Sequence, residues 1–282
     1  MQSKIILASD PCYFRVNTDD DYYNASFEIT YKCNLECKHC FNKSNDKAYI
    51  GLNKDELLIL IEELAKAKVK NVYITGGEPT KYPYFIDAVK TFNKYGIEVI
   101  LATNGYDILS YLDFIKENIS PKYGVYVSID GLSKVHNTLR RKNDAFEKAT
   151  ESIKRIILEG MPVRVSSIIW DQNYDQLEEL IDYLRSIGVS QINLTVPVQI
   201  GRANTNNIVL HKTYAETVNK VKMLQEKFNS DIFHIFLKRQ NKLDKNSLCC
   251  QAGQKILHIN SNGEIYPCSW VSKANLSEYS LK

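Results

Sequence analysis

The sequence predicts an α/β fold: an open, partial barrel of six βα units, followed by a small C-terminal β-hairpin segment. Two observations predict it. β-prone apolar runs alternate six times with amphipathic helical stretches, a pattern typical of a parallel sheet with helices outside. Short polar or glycine-rich motifs follow several of the strands. Six units are too few for an eight-stranded barrel, so we expect the sheet to stay open.

The first strand is predicted over 26–31 and leads directly into a group of cysteines. A helix follows it, with Asn53 as N-cap and Glu56 three residues later, as in a capping box. Strands and helices then alternate as far as the sixth strand. The further strands are predicted over 71–75, 98–103, 123–129, 162–169 and 191–196, and the further helices over 83–95, 108–118, 145–158 and 174–187.

Changes in composition divide the chain into four predicted segments. A polar run of asparagine and threonine follows Gly201-Arg202-Ala203 and is interpreted as a linker, with one helix over 212–228 and one strand over 232–237. Asn262-Gly263 between two apolar runs is a strong hairpin signal. The segments are an N-terminal extension (1–24), the partial barrel (25–203), a linker helix and strand (204–247) and a partial auxiliary segment (248–282).

Charge and hydropathy exclude some classes of function. The net charge is only +3 and the basic residues are scattered. Nucleic acid is therefore not expected as the main partner, since phosphate binding needs a concentrated basic face. The longest apolar runs are strand-length, which predicts no membrane span. The first residues are too soon interrupted for a signal peptide, so a cytoplasmic location is expected.

Six of the seven cysteines fall in two tight groups, which favours metal binding or catalysis over a disulfide framework. Cys33, Cys37 and Cys40 form the first group, spaced C-x3-C-x2-C directly after the first strand. Three thiolates from one loop can hold three irons of a 4Fe-4S cluster. Clusters that only transfer electrons normally use four cysteines. A fourth iron without a protein ligand is open to a small molecule.

A zinc site and coincidence are the alternatives for this group. Zinc takes a fourth ligand and usually binds paired C-x2-C groups. His39 lies between two of the cysteines and could in principle be that ligand. Its side chain would have to point the same way as two neighbouring thiolates in a short loop. We therefore favour the cluster, with His39 packing or stacking beside it.

The spacing of the first cysteine group, followed by Gly76-Gly77-Glu78-Pro79 after the second strand, resembles that of the radical S-adenosylmethionine superfamily. The resemblance extends from about Phe27 to Ala203. Three short motifs accompany it, and each of them is also an ordinary turn sequence. Their positions after parallel strands favour a shared site, because the carboxyl ends of such strands form one face. The motifs are Gly76-Gly77-Glu78-Pro79, Thr103-Asn104-Gly105 and Ser128-Ile129-Asp130-Gly131, after the second, third and fourth strands.

The resemblance implies a 4Fe-4S cluster on Cys33, Cys37 and Cys40, with S-adenosyl-L-methionine chelating the open iron. Gly76 and Gly77 would let the backbone approach the methionyl amine closely. Glu78 would fix that segment or the amine. Pro79 and Asn104 are further implied cofactor-binding residues, and Ser128 and Asp130 are implied at the ribose or methionyl end of the cofactor. Arg140 is implied as the partner of the cofactor's carboxylate, with Arg141 an equal candidate. The alternative is that this arginine is an ordinary surface residue.

The second cysteine group resembles the start of the SPASM or twitch auxiliary-cluster domain. Cys250, Gly263 and Cys268 are spaced C-x12-G-x4-C, but no cysteine occurs after Cys268. Three interpretations remain open: a truncated form, a reduced site, or a surviving hairpin without a cluster. The reduced site would use Cys249, Cys250 and Cys268, with its fourth position open to Cys12 or substrate. We favour a second cluster, with Cys250 the better match; Cys249 and Cys12 can also be read as small buried residues.

The function that the resemblance implies is reductive cleavage of S-adenosylmethionine to a 5'-deoxyadenosyl radical, which abstracts hydrogen from the substrate. Many members of the SPASM/twitch subgroup modify ribosomally made peptides, so a peptide substrate is expected. The alternatives are a small-molecule dehydrogenase acting on a sugar or alcohol, and a non-catalytic metal-binding protein that retains the fold. A reductant such as flavodoxin or ferredoxin is the expected electron donor.

Overall fold

A nine-stranded sheet forms the centre of the described part of the chain. The computed structural model describes residues 23–237, 252–253 and 256–273. The strands are β1 (Tyr23–Thr30), β2 (Val69–Gly76), β3 (Glu98–Thr103), β4 (Val125–Ser128), β5 (Val163–Ile168), β6 (Gln191–Thr195), β7 (His234–Leu237), β8 (Ile256–Ile259) and β9 (Ile265–Tyr266). Their order across the sheet is β7-β6-β5-β4-β3-β2-β1-β8-β9. All neighbouring pairs are parallel except β8 and β9.

Helices follow most of these strands, and the buried apolar residues of the longer helices pack against one face of the sheet. They are α1 (Lys54–Lys66), α2 (Phe85–Lys94), α3 (Leu112–Asn118), α4 (Ser133–Arg140), α5 (Ala145–Leu158), α6 (Leu177–Ser186), α7 (Arg202–Thr205), α8 (Tyr214–Phe228) and α9 (Ser269–Lys273). The predicted capping box of α1 is present, because Asn53 and Glu56 cap each other's backbone. None of the described helices is both long and apolar enough to cross a membrane.

Strand alternation separates a core face from a cavity face. Phe27 and Ile29 of β1 are fully buried in the core. On β5, buried Val163 and Val165 alternate with half-buried residues such as Ser166. Because successive side chains point to opposite faces of a strand, one face packs on the helices while the other lines the inside of the partial barrel. The predicted α/β fold with a mostly parallel sheet is confirmed.

The sheet extends beyond the six predicted strands at both edges. β7, predicted within the linker, pairs in parallel with β6. β8, predicted in the auxiliary hairpin, pairs in parallel with β1, and the hairpin itself is present as β8 and β9. The polar run expected to be a linker begins with the short helix α7. The division into four segments stays a prediction.

Three of the described helices, α4, α7 and α9, have no counterpart in the sequence prediction, and α4 is the longest of them. Helix α4 is short and polar, and it buries only His136, Leu139 and Arg140. Its few apolar residues give too weak a periodic signal to predict it. Elements with stronger patterns, β3 and α5, have the predicted bounds.

Candidate functional site

A cavity of about 570 Å³ opens at the carboxyl ends of the strands. The ends of β2 to β6 form its floor, and the cysteine loop between β1 and α1 forms one wall. Residues at the start of α9 close another side. Of the residues predicted from sequence, those that line it are Cys33, Cys37, Cys40, Gly76, Gly77, Asn104, Ser128 and Arg140.

The three thiols of the cysteine loop are unpaired and face this one cavity. Burial raises the pKa of the Cys33 thiol to about 12, and the neighbouring Glu78 and Cys37 add to the rise. Burial also raises the pKa of Cys37, although Arg140 beside it acts in the opposite direction. Without metal these two thiols are therefore protonated at neutral pH, and iron binding must release their protons.

Nitrogen donors surround the sulfur atoms. The backbone N–H groups of Leu35 and Ser44 donate to Cys33 Sγ and Cys40 Sγ, at 3.4 and 3.3 Å. The side chains of Asn104 and Arg140 lie 3.7 Å from the sulfurs of Cys33 and Cys37 respectively. Such donors stabilise thiolate ligands and tune iron–sulfur centres.

The donor set, three thiols from one loop, suits a sulfur-ligated cluster. Among the described residues no three His, Cys, Asp or Glu side chains lie close enough together to hold one ion. A four-iron cube places its cysteine ligands on separate irons, so the thiols need not converge on a point. His39 also lines the cavity, with a buried Nδ1 that has no hydrogen-bond partner. Burial lowers its pKa to about 4, so the ring is neutral.

Gly76 and Gly77 join the end of β2 to the cysteine loop. Gly77 N–H donates to Thr30 O at 2.7 Å and Glu78 N–H donates to Lys32 O at 2.9 Å. A Cβ on Gly76 would lie 2.2 Å from Thr30 O, and one on Gly77 would lie 2.2 Å from Lys32 O. The glycines are therefore required by the approach of the cysteine loop, whereas close approach of a cofactor to them stays a prediction.

Glu78 ties the second strand end to the third. Its buried carboxylate accepts hydrogen bonds from the Thr103 and Thr80 hydroxyls and from the backbone N–H groups of Asn104 and Thr80. Burial raises the pKa of Glu78, and these donors oppose the rise. These hydrogen bonds join Glu78 to the ends of the second and third strands, whereas a role of Glu78 towards the cofactor stays a prediction. Pro79 is buried beside it, at the start of a short 3-10 turn.

Asp130 lies behind the cavity lining and anchors Arg140. The two guanidinium contacts with Asp130 Oδ2 are 2.7 and 2.6 Å, and Ile168 N–H donates to Oδ1 at 3.1 Å. Burial alone would raise the pKa of Asp130, but Arg140 and the neighbouring donors lower it overall. Contact of Asp130 with a cofactor stays a prediction.

The structure separates the two arginines that the sequence left as equal candidates. Arg140 is buried, lines the cavity and reaches Cys37. Arg141 ends α4 in a left-handed conformation, with φ +56°, and its exposed guanidinium binds the side chain of Asn206. Only Arg140 is placed to meet a ligand in the cavity.

Other parts of the site had no clear sequence signal. Phe41 of the cysteine loop and Trp270 of α9 pack edge to face, with ring centroids 6.4 Å apart, and both line the cavity. Arg202 binds the back of the cysteine loop. In the sequence, Gly201-Arg202-Ala203 only precedes a polar run, and its role becomes visible in the three-dimensional contacts of Arg202.

The second cysteine group is described only in part. Cys268 is half-buried and directly precedes α9. Cys249, Cys250 and Cys12 lie outside the described residues. A second iron–sulfur cluster therefore stays a prediction.

Comparison with known proteins identifies the family. The model of the Radical SAM superfamily matches residues 27–184. The chain belongs to the radical S-adenosylmethionine superfamily. This family uses a 4Fe-4S cluster and S-adenosylmethionine, and the residues lining the cavity of this radical SAM domain suit both. The resemblance stated from the sequence is confirmed.

Relatives of this radical SAM chain include a bacteriocin biosynthesis protein and a mycofactocin maturase. It is 25% identical over 259 residues to the antilisterial bacteriocin subtilosin biosynthesis protein AlbA of Bacillus subtilis, covering 92% of this chain and 56% of AlbA. It is 27% identical over 256 residues to the mycofactocin maturase MftC of Mycobacterium tuberculosis, covering 86% and 63%. The chain thus spans only about 56% to 63% of the length of these two relatives.

Solved structures share the fold of this radical SAM chain. SuiB of Streptococcus suis bound to S-adenosylmethionine matches with a TM-score of 0.73 at 17% identity, over 89% of this chain and 61% of SuiB. SuiB bound to its precursor peptide SuiA matches with a TM-score of 0.70 at 18% identity, over 89% and 60%.

Proposed function

We propose that this chain is a radical S-adenosylmethionine enzyme that abstracts hydrogen from a peptide. One observation carries the proposal. Three unpaired thiols from one loop face a cavity that also exposes Gly77, Asn104 and other strand-end residues. The spacing leaves one iron of a cube without a protein ligand, and family membership supports the cofactor that would occupy it.

The cofactors carry the difficult chemistry. When bound, the cluster and S-adenosylmethionine would supply reductive one-electron chemistry that leads to abstraction of hydrogen from the substrate. Cys33, Cys37 and Cys40 would hold the cluster. Flavodoxin or ferredoxin, in a cytoplasmic setting, is the proposed source of electrons.

The protein's part is to position these groups and exclude water. Gly77 and Glu78 donate hydrogen bonds to Thr30 and Lys32, at the end of β1 and the start of the cysteine loop, so a ligand held by this segment would lie beside the loop that would hold the cluster. Glu78 links the same segment to Thr103 and Asn104. Arg140 is held by Asp130 and presents a cation to the cavity, where it would pair with the cofactor's carboxylate.

A peptide is the proposed substrate class. The names of AlbA and MftC indicate biosynthesis and maturation of natural products, and SuiB has been solved with its precursor peptide. Phe41, Pro197, Val198 and Trp270 are apolar residues in the cavity lining and would pack against a peptide side chain.

Anaerobic reconstitution with iron and sulfide tests the proposal. The wild-type protein should turn brown and convert S-adenosylmethionine into 5'-deoxyadenosine and methionine under dithionite. The Cys33→Ala/Cys37→Ala/Cys40→Ala variant should do neither. Cys268→Ala, as control, should still form deoxyadenosine, and its iron content reports whether a second cluster exists. A colourless wild-type protein that binds zinc would support the metal-binding alternative instead.

A second measurement tests the substrate class. A short peptide encoded beside the gene is incubated with the reconstituted protein, and mass spectrometry follows the peptide. Loss of hydrogen or a new cross-link, at one deoxyadenosine per event, supports peptide modification. Deoxyadenosine formation that responds to sugars or alcohols but not to the peptide would support the small-molecule alternative.

A further inference from the structure

The segment after β6 caps the carbonyl groups of the cysteine loop. Arg202 Nε donates to Cys37 O at 2.8 Å, and Arg202 Nη2 donates to Ser44 O at 2.7 Å. The backbone N–H of Arg202 donates to Cys40 O at 2.9 Å. One residue therefore binds three carbonyl oxygens in the loop that holds all three thiols.

The residue before Arg202 explains how the two segments come so close. Gly201 has φ +64°, and a Cβ there would lie 2.4 Å from both Cys40 O and Phe41 O. Only glycine avoids this overlap with backbone atoms. Asn206 adds a fourth contact by donating to Lys38 O at 3.0 Å. The whole turn is thus built against the back of the cysteine loop.

The capped carbonyls belong to the same loop whose N–H groups face the sulfurs. Ser44 is held on both sides: its N–H donates to Cys40 Sγ at 3.3 Å and its C=O accepts from Arg202. Arg202 also bridges Cys37 and Ser44, which stand on either side of Cys40. Because Arg202 holds these carbonyl groups pointing away from the thiols, the neighbouring backbone N–H groups stay turned towards the sulfur atoms.

We propose that Arg202 is a positioning residue that orients the cysteine loop and thereby raises the reduction potential of the cluster and slows its loss. This rests on the proposed function, because it requires a cluster on these cysteines. Hydrogen bonds to sulfur and nearby positive charge both stabilise the more negative, reduced state of an iron–sulfur centre. Arg202 supplies the charge directly and the hydrogen bonds through Ser44.

Three variants separate this role from general stability. Arg202→Gln removes the positive charge and both side-chain hydrogen bonds. Arg202→Lys keeps the charge but lacks the planar guanidinium group whose nitrogens reach two carbonyl oxygens at once. Arg141→Gln is the matched control. It removes an exposed cation from the same region, where Arg141 binds Asn206 and no carbonyl of the loop.

Each protein is reconstituted anaerobically and compared by iron per chain, the rate of iron release to a chelator and the midpoint potential followed by electron paramagnetic resonance. Arg202→Gln should have a more negative midpoint and release iron about 10- to 100-fold faster than wild type. Arg202→Lys should lie between the two, and Arg141→Gln should match wild type.

Wild-type midpoint and iron release in both Arg202 variants would overturn the inference. If Arg202→Gln fails to fold, Arg202→Lys decides alone, and wild-type values in it would also overturn the inference. A wild-type protein that forms no cluster would instead contradict the proposed function itself. The two failures are therefore distinguishable.

Discussion

Lys273 of α9 donates a hydrogen bond to the carboxylate of Glu28 in β1 at 2.9 Å, joining residues 245 positions apart. The Lys273 ammonium also donates to the hydroxyl of Tyr31, and Asn42 of the cysteine loop donates to the other oxygen of Glu28. Both charged side chains are largely buried. This ion pair connects the C-terminal hairpin region to the strand that leads into the cysteines.

Removing the lysine should therefore be costly. Lys273→Met leaves the buried Glu28 carboxylate without its cation, and we expect a loss of about 3 kcal/mol in the free energy of unfolding. Denaturant unfolding of the metal-free protein measures it. Lys54→Met is the control, since Lys54 pairs with Asp87 at an exposed site where about 0–1 kcal/mol is expected. Equal losses of unfolding free energy in the two variants would show that burial does not strengthen the pair of Glu28 and Lys273.

Glu78→Gln should loosen the link between the second and third strand ends. The amide NH2 of glutamine would face donors from Thr103 and Asn104, leaving at least one of them unpaired in a buried place. We expect a loss of about 1–3 kcal/mol in unfolding free energy. The control is Glu56→Gln in the exposed capping box of α1, where glutamine is an accepted capping residue. A wild-type melting temperature for Glu78→Gln would contradict this role.

Gly77→Ala should disturb the cysteine loop. The new Cβ would overlap Lys32 O and lie 2.7 Å from Tyr31 O, so the backbone joining β2 to the loop must shift. We expect a lower melting temperature and fewer irons retained per chain after reconstitution. Gly96→Ala is the matched control, because a Cβ at Gly96 meets nothing within 4 Å and only its φ of +71° adds strain, about 1 kcal/mol. Full iron content in Gly77→Ala would refute the expectation.

Acid should remove the contribution of Asp130 to stability. Its pKa in the folded protein lies below the ordinary value of 3.8, because Arg140 and other partners outweigh the effect of burial. A carboxyl group of this kind stabilises the fold above its unfolded pKa and loses that contribution as the pH falls through the folded pKa. The difference in unfolding free energy between wild type and Asp130→Asn should be largest near pH 7 and shrink below about pH 4. A difference independent of pH would show that the charge of Asp130 is not involved.

Tryptophan fluorescence should report occupation of the cavity mouth. The chain has two tryptophans. Trp170 is buried against Leu139 and Ala203, whereas Trp270 is 48% exposed at the cavity. Acrylamide should therefore quench mainly Trp270, and a bound substrate peptide should protect it. Trp270→Phe should lose the protectable signal, and unchanged quenching on adding a peptide that is modified would place the peptide elsewhere.

Local patterns were predictable from the sequence, and long-range contacts were not. The Asn53–Glu56 capping box and the cysteine spacing involve residues close in the chain, so their chemistry can be read directly. The hydrogen bonds from Thr103 to Glu78 and from Arg202 to Cys37 join residues 25 and 165 positions apart. Neither leaves a periodic or spacing signal.

Arg140 and Arg141 are adjacent in the chain, and the sequence did not predict which of them faces the cavity. Both are arginines in an unpredicted helix, and the end of α4 decides between them. Arg141 adopts the left-handed conformation that ends the helix, which turns its side chain to the surface, while Arg140 remains in the helix and faces the cavity. The sequence interpretation lacked that boundary because α4 has so few apolar residues.

The parallel pairing of β1 with β8 has a consequence for biosynthesis. Within the described residues, the edge of β1 opposite β2 is covered by β8, which is synthesised more than 200 residues later. Until β8 pairs with it, the strand that leads into the cysteines has one open edge, a state prone to pairing with other chains. Loading of iron and sulfide would then be safest once β8 has covered this edge.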